Sequence, residues 1–124
     1  MSTAQENDTR PDLTRLFGAR ARGLTGRIVS ALRQAVPVEE VWLFGSCARG
    51  DARLDSDLDL LVVLADDHGL QRPNLACFQA VNHLPDIPPA DVLAITKSRW
   101  DKERAHPFGL FGEASAQGVC LYAK

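Results

Sequence analysis

Between Leu24 and Val36 the apolar residues Leu24, Ile28, Leu32 and Val36 recur at every fourth position, which predicts an amphipathic helix that Pro37 stops. The run VEEVWLF (38–44) is rich in β-branched and aromatic residues and predicts a strand ended by Gly45. DLDLLVVL (57–64) predicts a second strand, and its unbroken apolar end from Leu60 to Leu64 implies burial on both faces. Residues 74–84 read as a helix, followed by the breaker-rich PDIPPA and a third strand, DVLAIT (91–96). Two short helices, 98–106 and 108–117, flank Pro107, and VCLY (119–122) reads as a closing strand. The sum is an α/β (α+β) sandwich, a small sheet of about four strands with helices packed against it.

Length and charge refine this picture. At 124 residues the chain suits one domain, expected over 12–124, after a polar and mobile tail at 1–11. The formal net charge of −2 gives no reason to expect direct binding to nucleic acid or to an anionic membrane. Charge is nevertheless segregated. Residues 1–36 carry six Arg against three acids, whereas 37–67 carry eight acids against Arg49 and Arg53. The acidic stretch attracts cations, with positive surface close by for a polyanionic ligand. Cys47, Cys77 and Cys120 form no C-x-x-C pair, so neither a disulfide framework nor a zinc site is indicated. No signal-like opening and no apolar run of roughly 20 residues is present, so a cytoplasmic location without a membrane span is expected.

The candidate chemistry lies in GSCARGDARLDSDLDLLV (45–62). Two ionised carboxylates at the mouth of an apolar strand are costly unless something positive sits between them. Asp57 and Asp59, two apart on a strand, share a face and lie roughly 6.5–7 Å apart. Mg²⁺ prefers hard oxygen ligands, typically one or two carboxylates plus substrate phosphates, and a pair of such ions clamps the attacking and leaving oxygens of a phosphoryl displacement. A third acid is then wanted from a neighbouring strand. Asp91 opens the third strand and fits beside the pair, where it would also assist deprotonation of an acceptor hydroxyl. Gly45 permits close backbone approach, and Ser46 offers a hydroxyl at a helical turn whose free N–H groups favour phosphate. Together these residues fit a metal-bound nucleoside triphosphate.

G-S, ten residues, then D-x-D resembles the signature of the polymerase-β-like nucleotidyltransferase superfamily, and the stretch is similar to its small MNT branch. Gly45, Ser46, Asp57 and Asp59 meet the pattern residue for residue, Asp91 fits the later acid, and EASAQGVCLY (113–122) resembles the close of MNT domains. The likeness runs from about Leu24 to Tyr122. It implies a nucleotidyltransferase fold with a mixed sheet, catalytic and metal-holding roles for Asp57, Asp59 and Asp91, and nucleotide contacts from Gly45, Ser46 and Arg49. It further implies Mg²⁺, two ions, with ATP as substrate. The expected partner is a HEPN-type RNase toxin, whose hydroxyl (a tyrosine) would receive AMP, making this chain its antitoxin. Cys47 departs from the Arg or bulky residue common at its position.

Plainer readings stand beside these. An antitoxin acting by binding alone, with an interface near Phe108, Leu110 and Phe111, is one alternative. Modification of a small molecule such as an aminoglycoside is another, although those enzymes usually carry an extra helical domain that 124 residues leave little room for. DSDLD (55–59) starts like a calcium loop, but Leu60 and Asp66 stand where Gly and Glu are needed, so that reading fails. Asp66 and Asp67 read as a surface turn, His68, His83 and His106 as surface or loop residues, Lys97 as solvated, and Trp42 and Trp100 as core.

Overall fold

The structure is a computed structural model that describes residues 23–44, 58–85, 87–106 and 118–124. Expectations for the 1–11 tail and the 108–117 helix lie outside the described residues. Helix α1 covers Leu24–Ala35 and buries Leu24, Ile28 and Leu32, the four-residue stripe that predicted it. Pro37 separates it from β1, Val38–Phe44. Strand β2 covers Leu58–Leu64, and α2, Pro73–Asn82, starts on a proline, which tolerates the first helical turn because its missing N–H is not needed there. Strand β3 is Ala90–Thr96, α3 is Lys97–Arg104 and β4 is Val119–Ala123.

The strands form one sheet in the order β3-β2-β1-β4. Strand β1 pairs antiparallel with both β2 and β4, and β2 pairs parallel with β3. The parallel pair needs a crossover connection, and α2 supplies it. A mixed sheet results, and β2 lies inside it, buried at every position except Asp59. That is why Leu60 to Leu64 is apolar without alternation.

Side chains alternate between two covered faces. On the first, Val41, Leu43, Leu58, Leu60, Val62 and Leu64 pack with Ile28 and Leu32 of α1 and with Cys77 and Val81 of α2. On the second, Trp42, Leu61, Val63 and Ile95 pack under Trp100 of α3. The Trp42 and Trp100 rings lie 5.5 Å apart at 56°, and the Arg104 guanidinium sits 5.0 Å from each of these rings. Both tryptophans are core residues, as their sequence setting predicts.

Helix α3 is fixed to this face by polar contacts as well. Glu40 is mostly buried and accepts from Trp42 Nε1 at 2.8 Å and from Lys97 Nζ at 2.7 Å. Lys97 also donates to Asp101 at 2.9 Å. It is thus an ion-paired anchor, where the sequence read as a solvated lysine. The Asp66 carboxylate accepts from the Ser98 N–H at 3.0 Å and from Ser98 Oγ at 2.7 Å, so the 66–67 turn caps the free N–H end of α3 from outside the helix. Among the described residues no helix is long and apolar enough to cross a membrane.

Candidate active site

The sheet's registers bring residues from three strands to one level. Asp59, second in β2, pairs with Phe44, the last residue of β1, and on its other side with Asp91 of β3. Adjacent strands lie roughly 4.8 Å apart, and residues directly opposite share a face. Asp59 and Asp91 therefore project side by side from the second face, the one that carries Trp42, Leu61 and Ile95 further along. Asp59 is half-buried, whereas Asp91, on the outer strand, is exposed. The two acids thus differ in access. Asp91 meets whatever approaches from the edge of the sheet, and Asp59 lies one strand further in.

Two carboxylates at strand spacing repel by on the order of 1–4 kcal/mol, depending on how much water lies between them. A divalent cation turns that repulsion into attraction. The donor set is hard oxygen alone, which fits Mg²⁺ and not a thiophilic metal. Asp57, Gly45, Ser46 and Arg49, the other predicted site residues, lie outside the described residues, although Gly45 follows Phe44 in the chain and Asp57 stands two before Asp59. Among the described residues no group of three potential metal ligands occurs.

The other candidates resolve into structural roles. His68 Nδ1 accepts the Leu70 N–H at 2.8 Å, and His83 and His106 are exposed beyond helix ends. Cys77 and Cys120 are free thiols. Burial alone pushes the Cys77 thiol up to about 11, which makes it a poor nucleophile. Cavities of about 530 Å³ beside α1 and Tyr122 and about 140 Å³ beside Pro73 and Thr96 include neither acid in their walls.

Glu40 is the residue that the sequence reading passed over. Burial pushes its carboxyl up, but hydrogen bonds from Lys97 and Trp42 outweigh this and hold it below the ordinary 4.5. The signal was present in VEEVWLF, because period-two alternation puts Glu40 and Trp42 on one face.

Comparison with known proteins bears on what this arrangement serves. None of the curated proteins matches the chain. Among solved structures, a crystal structure of a toxin–antitoxin complex with AMP-PNP is similar, at 20% identity and a TM-score of 0.55, over 81% of this chain and 73% of that one. A MntA–HepT toxin–antitoxin complex is similar at 18% identity and a TM-score of 0.50, over 83% and 73% of the two chains. A tri-AMPylated Shewanella oneidensis HEPN toxin in complex with its MNT antitoxin is similar at 19% identity and a TM-score of 0.50, over 83% and 72%. At these identities the likeness is one of fold. The family model for the nucleotidyltransferase domain matches residues 26–108, and the chain belongs to that family of nucleotidyl-transferring enzymes.

Proposed function

We propose that this chain is a Mg²⁺-dependent nucleotidyltransferase that moves AMP from ATP to a tyrosine hydroxyl of a HEPN-type RNase toxin and so acts as its antitoxin. The observation that carries the reading is the register that sets Asp59 opposite Asp91. Membership of the nucleotidyltransferase family supports the reaction class. The AMP-PNP complex and the AMPylated HEPN toxin among the structures of similar fold support the choice of nucleotide and acceptor.

Asp57 and Asp59 would hold the metal, with Asp91 completing the set. Bound there, Mg²⁺ supplies charge neutralisation for the triphosphate and the departing pyrophosphate. Gly45 and Ser46 bind the β and γ phosphates, and Arg49 assists them. The acceptor oxygen forms a bond to the α phosphorus, the bond from that phosphorus to the bridging oxygen breaks, and pyrophosphate leaves. Asp91, the exposed acid, takes up the acceptor's proton. Transfer of this kind depends on positioning and on charge placed in advance, which a rigid strand register provides.

The test incubates the chain with α-labelled ATP, Mg²⁺ and a HEPN-type protein from the same genome. Label on the partner's tyrosine, lost with Asp59→Asn, is the expected result. A toxin neutralised equally well by wild type and Asp59→Asn, without label, would instead mean inhibition by binding alone.

A further inference from the structure

Three large apolar side chains stand exposed among the described residues, and all lie on one pair of packed elements: Leu75 and Phe78 of α2, 42% and 44% exposed, and Leu93 of β3, 44% exposed. Their arrangement follows from two asparagines. Asn74, Phe78 and Asn82 form one stripe at four-residue spacing on α2. Asn74 Oδ1 accepts the Ala94 N–H at 2.7 Å, and Asn82 Nδ2 donates to the Ala90 carbonyl at 3.3 Å. The stripe therefore runs along the outer edge of β3 in the opposite direction, and Phe78 comes level with Val92. Leu93 projects from the other side of the same edge, on the face of Asp91 and two residues beyond it.

The exposed part of an apolar side chain adds nothing to the stability of the chain alone, and a group of such side chains marks a surface that meets a partner. We propose that the β3 edge, with Leu93 on one face and Phe78 and Leu75 on the other, is where the protein acceptor seats so that its hydroxyl reaches Asp91. The inference rests on the reading of the chain as a transferase to a protein hydroxyl. Continuity identifies the occupant. The patch and Asp91 share one strand edge, so a body covering the patch delivers its own groups to the exposed acid. A small-molecule acceptor would have no use for Phe78, which lies across the sheet from Asp91. A second copy adding its strand is disfavoured as well, because Asn74 and Asn82 already engage the ends of that edge.

The test titrates the HEPN-type protein into the labelled-ATP reaction with wild type, a Leu93→Ser/Phe78→Ser pair and a Leu93→Met/Phe78→Leu pair. Calorimetry measures partner binding without nucleotide, and sedimentation measures the chain alone. For the serine pair the half-saturating acceptor concentration rises about tenfold or more, as expected for loss of central apolar anchors. The KM for ATP stays at its wild-type value, a cooperative unfolding transition shows that the serine pair is folded, and the conservative pair restores binding. Wild-type half-saturation and binding by the serine pair would overturn the proposal. So would a wild-type dimer that the serine pair abolishes with acceptor binding unchanged. Partner binding through the patch without any label would leave the surface standing and remove the proposed activity, so the two failures are distinct.

Discussion

Asp59 and Asp91 stand directly opposite each other in the parallel pairing of β2 and β3, although 32 positions separate them in the chain. The crossover through α2 sets this register, and the apolar run behind Asp59 locks it. A slip of one residue would turn Leu60 and Val62 out of the first-face core. Asp59 is thus held by a strand buried at every other position, and Asp91 by the pairing of β3 to that strand. Replacing either with Asn preserves shape and removes charge. Transfer should fall by at least about a hundredfold for each variant, in line with the loss of one preorganised electrostatic group. Circular dichroism should be unchanged.

Glu40 and Lys97 make stability depend on pH at both ends of the scale. Glu40 is held below its ordinary 4.5, so its contribution is complete above that value and is lost as pH falls through the lower, folded-state pKa. Lys97 is raised above 10.5, chiefly by its bonds to Glu40 and Asp101, so its contribution is present below 10.5 and is lost as pH rises beyond it. Urea midpoints measured against pH should decline on both flanks, and Lys97→Met should flatten the alkaline one. Glu40→Ala leaves Trp42 Nε1 without its acceptor and should cost about 1–3 kcal/mol at neutral pH.

Asp66 works through the end of a helix. Hydrogen bonds from the Ser98 backbone and hydroxyl hold its carboxyl below the usual 3.8. The cap is complete above 3.8 and is lost as the group protonates at lower pH. Asp66→Ala should lower the melting temperature at pH 7, with the difference from wild type shrinking below pH 3.8. Asp66→Asn, which still offers an oxygen, should lie between the two.

Trp100 is fully buried between α3 and the second face. Its replacement by Ala opens a large cavity and should cost about 3–5 kcal/mol, a large share of the roughly 5–15 kcal/mol that holds a domain of this size. Trp100→Phe should cost less, because much of the ring contact with Trp42 survives. Denaturant unfolding measures both.

Elements set by local pattern were legible in the chain itself. VEEVWLF between Pro37 and Gly45 gives β1 with its observed bounds, and the Leu24–Leu32 stripe gives α1. The helix expected over 74–84 runs from Pro73 to Asn82, one residue earlier at a start where proline is well tolerated and two residues shorter at its end. Long-range partners were not legible. Nothing near Lys97 announces Glu40, 57 positions away, and nothing near Ser98 announces Asp66. For the acids, alternation and an opening position on the third strand put Asp91 in reach of the pair, but only the sheet register states which residue faces which. The apolar flanks of β3 were likewise hidden, because Phe78 and Leu93 look like core residues until the topology makes β3 an edge.

The most direct test of the central claim is titration of a Mg²⁺-loaded, non-hydrolysable ATP analogue into wild type, Asp59→Asn and Asp91→Asn, followed by calorimetry. If the two carboxylates share a metal-bound triphosphate, wild type binds in a Mg²⁺-dependent manner and each variant loses about tenfold or more in affinity. Binding of equal strength by all three proteins, or binding indifferent to Mg²⁺, would contradict it.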